Sequence, residues 1–142
     1  MAATAAATDI GFLTTFGKVV GSTYTALAEV TELNLPETAR DSIDFTHFGS
    51  PDAHREFKPG LSNGGELSLS YNLVPGLADD AVIATHLGTR TVDDWRVVFP
   101  NGAQLNLKMF ATAHGRATPM DDKMAGSATF KVSGKPVLTP AA

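Results

Sequence analysis

The sequence predicts a mainly β protein: two packed antiparallel sheets, sandwich-like or barrel-like, with one flanking α-helix. Three observations lead to this prediction. Several segments alternate apolar and polar residues with a period of two, which is typical of strands with one buried face. A single segment changes to helical spacing. Turn signals separate the segments, among them an Asn-Gly pair that favours a tight hairpin.

Six strands are expected, and Glu66–Leu73 shows the cleanest alternation, with four large apolar residues on one parity. In Tyr24–Leu35 the apolar parity changes part-way, which predicts a bulge or a sharp bend. The segment His114–Gly126 is polar and contains Gly, Pro and Asp, so it is expected to be a loop. The other expected strands are Asp41–Phe48, Asp94–Phe99, Gln104–Ala113 and Ser127–Ser133.

The helix is expected over residues 77–88. Its predicted buried stripe is Leu77, Ala81, Ala84 and Leu87, with Ile83 beside it. Two aspartates in the first turn suit the positive end of the helix dipole, and a glycine stands at the expected C-terminal cap. The histidine near the C-terminus is expected at the edge of the helix.

A chain of 142 residues predicts one domain. We expect an N-terminal arm at 1–22, a β domain at 23–137 with a long loop at 47–65, and a C-terminal tail at 138–142. The chain has no cysteine, which excludes disulfides and thiolate metal sites. The net charge of −4 argues against a broad nucleic-acid patch, and no apolar run is long enough for a membrane helix.

No catalytic set, metal site or cofactor motif is predicted. The histidines lack the short spacings of zinc sites. A weak metal site from His47, His54, Asp52 and Glu56 is conceivable, but exposed loop residues explain these side chains more simply. Neighbouring carboxylates on a strand point to opposite faces, so the three Asp-Asp pairs do not build an acid/base site. Trp95 is expected in the core and not in a ligand pocket.

The most distinctive stretch is residues 33–73, because four motifs follow one another there. They are Pro36–Asp41 (PETARD), Ile43–Thr46 (IDFT), Arg55–Leu61 (REFKPGL) and Gly64–Leu67 (GGEL). Their order and spacing resemble the major tail tube proteins of long-tailed, siphovirus-type bacteriophages or of phage-derived gene transfer agents. The alanine inside the first motif departs slightly from its tightest form.

That resemblance implies a structural protein and no enzyme activity. It implies two packed antiparallel sheets with a flanking helix, the phage tail tube fold, in hexameric rings stacked into a hollow conduit for DNA delivery. The implied partners are other copies of the chain, a tape-measure protein, and tail terminator and distal tail proteins. DNA would pass through the lumen without specific binding. The protein would be made in the bacterial host cytoplasm and reside in the virion tail.

The long loop is expected to contact the next ring, and the N-terminal arm to become ordered only on assembly. The expected stacking residues are His54, Arg55, Glu56, Phe57, Lys58 and Pro59. Small polar and acidic side chains on strand faces are candidates for the lumen wall. They are Glu29, Asp44, Glu66, Ser68 and Ser70, with Asp44 and Glu66 ranked first because they lie on the clearest strands.

Two kinds of alternative remain open at this point. In the same architecture, the chain could be a tube or tail-end protein of a related injection machine, such as a type VI secretion system. In a different class, it could be a small ligand-binding β-barrel or a hydrolase. A barrel binder predicts a large apolar interior and a monomer, and a hydrolase predicts a convergent catalytic set.

Overall fold

A computed structural model describes residues 13–75 and 78–140 of the chain, with only the backbone of residues 78 and 79. The described part forms ten strands, one α-helix and a short 3-10 helix at Pro51–Ala53. The helix, α1, is Ala78–Gly88. The strands are β1 (Thr15–Val20), β2 (Thr23–Ala26), β3 (Val30–Asn34), β4 (Ala39–Asp44), β5 (Phe57–Asn63), β6 (Glu66–Asn72), β7 (Asp93–Val98), β8 (Gln104–Ala117), β9 (Ala125–Val132) and β10 (Val137–Thr139).

The strands form two antiparallel sheets of very different size. The large sheet has the order β2-β1-β7-β8-β9-β6-β3, and β10 adds to the beginning of β8. The small sheet is the hairpin of β4 and β5. The predicted class, mainly β and antiparallel with two sheets and one helix, is confirmed. The sequence did not show how unequally the strands divide between the sheets.

The large sheet curls until its two edges approach each other. The edge strands β2 and β3 are consecutive in the chain, separated only by residues 27–29. Four Cα steps span at most about 15 Å, so the two edges meet at this end of the sheet. The backbone N–H of Leu27 donates to Phe16, and that of Asn72 donates to the carbonyl of Glu29. The predicted bend in Tyr24–Leu35 is this crossing.

The concave face of the curled sheet holds the core. Phe16 on β1 stacks on Trp95 of β7, with ring centroids 5.3 Å apart. Trp95 in turn contacts Phe130 of β9 at 4.8 Å. Phe16 and Phe130 lie three strands apart in the sheet, yet their rings are 5.8 Å apart. Flat strands at that separation would be about 14 Å apart, so only strong curvature brings these side chains together.

Helix α1 closes the concave face, but not with the predicted stripe. Ile83 and His86 are buried, whereas Ala81, Ala84 and Leu87 are exposed, and Leu77 lies outside the described residues. The prediction was wrong because it counted only apolar residues. The sheet supplies hydrogen-bond partners to polar side chains of the helix, so a histidine is buried where an apolar residue was expected. Among the described residues, no helix is long and apolar enough to cross a bilayer.

Both expected terminal segments contribute strands. Thr15–Val20, placed in the N-terminal arm, is β1, because Phe16 completes the aromatic core and the backbone pairs with β7. The rest of the expected arm before Leu13 lies outside the described residues. The expected C-terminal tail, 138–142, begins inside a strand, because Val137–Thr139 pairs with β8 as β10. Residues 141–142 lie outside the described part of the chain.

The expected loop His114–Gly126 is shorter than predicted. Strand β8 continues to Ala117 and β9 begins at Ala125, which leaves residues 118–124 as the connection. His114 and Arg116 interrupt an apolar pattern, but their side chains turn inward to Tyr71 and Asp80. The strand therefore continues through residues whose polarity suggested a loop.

Gly126 should not tolerate a side chain. It lies opposite Tyr71 in the β6–β9 pair, and an added Cβ would overlap the phenol ring. We expect Gly126→Ala to lower the free energy of unfolding by about 1–3 kcal/mol, as overpacking does. Urea denaturation measures the loss. The control is Gly115→Ala, where the nearest atom to the added Cβ is the Ser127 hydroxyl at 3.3 Å. Equal stability of the two variants would contradict the packing argument.

Candidate assembly and channel surfaces

The β4–β5 hairpin is the first candidate surface. Residues 47–65 were expected to be a loop, but Phe57–Asn63 is a strand that pairs with Ala39–Asp44. The Lys58-Pro59-Gly60 run conceals this strand, since proline is poor in sheets except at edges or bulges. Almost every residue of both strands is exposed. The hairpin therefore stands away from the curled sheet instead of packing on it.

Polar bonds hold the hairpin tip, residues 45–56, in one conformation. The Phe45 N–H donates to the Glu56 carbonyl at 2.8 Å, and the Glu56 N–H donates to the Thr46 hydroxyl at 2.9 Å. The Ser50 hydroxyl donates to a carboxylate oxygen of Glu56 at 2.8 Å. Glu56, one of the expected stacking residues, is thus engaged within the tip. The tip is a preformed element and not a flexible linker.

Large apolar side chains of the hairpin face solvent. Phe48 is fully exposed, Leu61 is 86% exposed, and three further side chains are about half exposed: Ile43, Phe45 and Phe57. Exposed apolar groups in such a cluster mark interaction surfaces. An isolated two-stranded hairpin is at best marginally stable in water. The exposed apolar side chains of the hairpin are therefore typical of a surface that a partner covers.

The hairpin also carries cations near its tip. A guanidinium nitrogen of Arg55 lies 3.5 Å from a carboxylate oxygen of Asp44, and the Lys58 ammonium lies 4.9 Å from the centre of the Phe45 ring. Hydrogen bonds from Thr46 hold the pKa of Asp44 below its usual value. Of the expected stacking residues, His54, Arg55 and Glu56 lie in the tip, and Phe57, Lys58 and Pro59 begin β5.

The convex face of the large sheet is the second candidate surface. On β6 it presents Glu66, Ser68 and Ser70, whose neighbours on β9 are lysine, threonine and serine. On the other side, the Asn34 amide of β3 donates to the Ser68 hydroxyl at 3.3 Å. Short hydroxyl side chains therefore form the middle of this face. α1 lies on the opposite face, against the aromatic core.

The structure places four of the five lumen candidates on one surface. Glu66, Ser68 and Ser70 share the convex face, and Glu29 precedes Val30, whose partner Tyr71 points inward, so alternation puts Glu29 on the convex side. Asp44 lies elsewhere, at the far end of β4 in the small sheet. Asp44 was ranked first because its strand alternates clearly, but clear alternation does not tell which sheet a strand belongs to.

The convex face is not uniformly acidic. Lys131 lies directly opposite Glu66 in the β6–β9 pair, and Lys108 lies opposite Asp94 in the β7–β8 pair. Opposite charges at facing positions of neighbouring strands attract each other. The face thus combines facing opposite charges near one end with small hydroxyl groups along its middle, and the Lys131 ammonium donates to the Asn63 side chain at 3.1 Å.

A buried polar cluster, the polar clasp of Tyr71, Asp80, His114 and Arg116, ties α1 to the sheet. Arg116 donates to both carboxylate oxygens of Asp80, at 2.9 and 3.0 Å. The Tyr71 hydroxyl donates to Asp80 at 3.1 Å and lies 2.6 Å from Nε2 of His114. Asp80 was assigned only to the helix dipole, and the clasp was missed. A bulge between Ala111 and Ala113 moves the inward positions of β8 from odd to even numbers, so simple alternation did not reveal it.

A second polar contact anchors the other end of α1. Nδ1 of His86 lies 2.7 Å from Asp93, and its Nε2 accepts the Ala111 N–H at 3.1 Å. Lys18 also contacts Asp93, at 3.2 Å. His86 is buried and was expected at the helix edge. Its position is structural, because both ring nitrogens are engaged by the sheet.

Folding changes the pKa of two clasp residues in the same direction. The bidentate hydrogen bonds from Arg116 lower the pKa of Asp80. Burial, with the nearby Arg116 charge, lowers the pKa of His114. Elsewhere, His47 and Glu56 are in contact, but no cluster of three or more metal-binding side chains occurs within residues 13–75 and 78–140.

The family model described as "Lambda phage tail tube protein, TTP" matches residues 11–139. The chain belongs to this family. It is a structural subunit of a tail tube and a component of the virion tail of a phage or gene transfer agent particle, which confirms the resemblance inferred from the motifs. The family and its structural neighbours are structural tail proteins.

Solved structures share the fold at low sequence identity. The virion of a native gene transfer agent particle matches with a TM-score of 0.75 and 14% identity, over 94% of this chain and 100% of the other. The tail of an empty gene transfer agent particle with C6 symmetry gives 0.76 and 12%, over 94% and 100%. The tube-terminating cap of the anti-feeding prophage gives 0.73 and 11%, over 99% and 97%. Among curated protein sequences, none matches the chain.

Acid should destabilise the subunit through the polar clasp. Since folding lowers both pKa values, the folded state binds fewer protons than the unfolded chain, and stability is lost as pH falls. The loss begins below the ordinary His114 value of 6.5 and continues below the ordinary Asp80 value of 3.8. We expect the melting temperature to fall in both ranges. His114→Gln should remove the loss between pH 7 and about 5 and leave the lower one. Identical pH profiles would exclude His114 as the cause.

Proposed function

We propose that the tail tube subunit assembles into hexameric rings that stack into a hollow conduit for DNA. The observation that carries this proposal is the β4–β5 hairpin, preformed at its tip yet covered by nothing within the described chain. Its exposed aromatic and aliphatic side chains require a partner surface. Membership of the tail tube family and the C6 symmetry of a similar tail support six copies per ring.

The outer edges of β2 and β3 supply the contacts within a ring. Among the described residues, no strand pairs with either edge. Unpaired edges offer backbone N–H and carbonyl groups to a strand of another chain. Because each subunit has two such edges, one copy can contact two neighbours head to tail, and such contacts form a ring when the rotation closes.

The hairpin supplies the contacts between rings. It includes the expected stacking residues on β5, Phe57, Lys58 and Pro59, and the tip residues His54, Arg55 and Glu56. Because the tip is held by its own hydrogen bonds, docking costs less conformational entropy than ordering a flexible loop would.

The convex face lines the lumen, with Glu66, Ser68 and Ser70 on its clearest strand and Glu29 nearby. A face of small hydroxyl groups, whose lysines Lys131 and Lys108 each face an acidic residue, offers phosphate few strong partners, since phosphate affinity grows with each lysine or arginine contact. DNA therefore passes without specific binding. Asp44 is assigned to the hairpin instead.

The further partners are a tape-measure protein in the lumen and terminator and distal tail proteins at the tube ends. The similarity to a tube-terminating cap keeps a tail-end role as the second candidate. Electron microscopy of the purified protein separates the two, because a tube subunit forms long stacks and an end protein forms single rings. The protein acts without catalysis, metal or cofactor.

Removing the exposed apolar groups of the hairpin should abolish tubes and spare the fold. The variant is Phe48→Ser with Leu61→Ser, and neither side chain belongs to the core. We expect unchanged circular dichroism, a melting temperature within a few degrees of the parent, and no tubes by negative-stain microscopy. The control is Val92→Ser, another half-exposed apolar residue, in the connection between α1 and β7. An unfolded double variant, or normal tubes, would refute the assignment.

Adding cations to the convex face should slow DNA delivery. Ser68→Lys with Ser70→Lys places two lysines per subunit on the proposed lumen wall, where each phosphate contact strengthens binding. Particles carrying these changes should have tails of normal length and reduced DNA delivery. Ser22→Lys, which adds one lysine in the exposed β1–β2 turn, is the control for a lysine outside this face. Full delivery by the double variant would place the lumen on another face.

A further inference from the structure

The large sheet has two different ends along its strands, which we name by the start and the finish of β6. The hairpin end is where β5 enters β6, at Gly64–Glu66. The loop end is where β6 finishes, at Asn72, opposite Ala125 of β9. Six strand steps separate the ends of β6, which corresponds to about 20 Å. The connection 118–124 between β8 and β9 lies at the loop end, and the hairpin leaves from the other.

A stack of identical copies pointing the same way brings these two ends together. The hairpin end of one copy faces the loop end of the next, because any head-to-tail repeat joins unlike ends. The hairpin strand from Asn63 to Phe57 also spans about 20 Å, so its tip reaches well beyond the sheet from which it starts. The surface that receives the tip must therefore be sought at the loop end.

The loop end carries an exposed apolar group beside two acids. Met120 is fully exposed, and Met124 and Val74 are partly exposed at the same end. Asp121 and Asp122 follow Met120, and within residues 13–75 and 78–140 neither forms an ion pair. The one nearby lysine, Lys123, is outnumbered, and the Arg116 charge is balanced by Asp80.

The hairpin tip is complementary to this loop in both respects. It presents exposed aromatic side chains, and methionine contacts aromatic rings favourably and adapts its shape to them. Beside the tip, at the start of β5, the Lys58 ammonium forms no ion pair among the described residues, whereas the largely exposed Arg55 is paired with Asp44. Opposite charges at two ends that must meet fix the orientation of the contact more than they add affinity.

We propose that residues 118–124 are the docking site for the hairpin tip of a second copy of this chain, with Met120 against the tip aromatics and Asp121 and Asp122 facing Lys58. This deepens the proposed function and rests on it. The contact is heterologous, so a stack of rings has free hairpins at one end and free loops at the other. The stack then grows in one orientation only.

Site-directed cross-linking tests the contact, since the chain has no cysteine of its own. His54→Cys in the tip is combined with Thr118→Cys in the loop, two exposed positions outside the core. Treated with a short bismaleimide, assembled tubes should yield a ladder of covalent multimers. The control pairs His54→Cys with Asn101→Cys, an exposed turn between β7 and β8 at the hairpin end, and should yield monomers.

A charge exchange gives a second measurement. Lys58→Glu should lower the amount of sedimentable tube by about tenfold at low salt. Adding Asp121→Lys and Asp122→Lys to that variant should restore assembly, whereas Asp94→Lys added instead should not. Absence of tubes in the cysteine-free parent would refute the proposed tube. Normal tubes with no His54–Thr118 ladder, or no rescue by the two lysines, would refute the docking site alone.

Discussion

The curvature of one sheet is the constraint on which the rest of the molecule depends. Phe16 and Trp95 lie on neighbouring strands, but Phe130 lies two strands beyond Trp95 and three beyond Phe16, and its ring contacts with both exist only because the sheet is strongly curved. All three rings are fully buried, and aromatic side chains are among those that bury the most area. Curling also decides what stays uncovered: the convex face, the two edges and the hairpin, which are the surfaces a tube subunit presents to its surroundings.

The core on the concave face must be shielded from water on the side that the sheet leaves open. Helix α1 covers it there with few apolar residues. Ile83 packs on the aromatic core, while Asp80 and His86 are buried by means of hydrogen bonds to the sheet. Breaking one partner of such a pair leaves a buried polar group without compensation, which costs more than the bond contributes. The position of the helix is thus specified by partners and not by a broad apolar stripe, and it depends on pH.

Hydrophobic periodicity predicted the strands with regular alternation. It failed for features that depend on contacts between residues far apart in the chain. The alternation of Glu66–Leu73 was sufficient to place β6 and its inward residues. The hairpin strand was missed because Pro59 and Gly60 are poor strand formers, and its pairing with β4 overrides their preference. The polar clasp was missed because the half-exposed side chain of Arg116 bonds to an aspartate 36 positions earlier, a long-range contact that periodicity does not show. For the candidate surfaces, alternation put Glu66, Ser68 and Ser70 on one face of β6, as the structure has them. It carries no information on which strands are neighbours, so it grouped Asp44 with them although Asp44 lies in the small sheet.

Because the hairpin and the loop 118–124 lie at opposite ends of the subunit, tube growth is expected to start from a complete ring and not from free subunits. A single hairpin buries only a few side chains, so two free subunits form a weak contact. In the proposed hexamer, six hairpins face six loops at once, and after the first contact the others form at high effective concentration. A ring therefore binds to a ring far more strongly than a subunit binds to a subunit. Free subunits with exposed phenylalanines can remain dispersed at moderate concentration, and growth then occurs on an existing ring, at the end whose orientation the first ring has set.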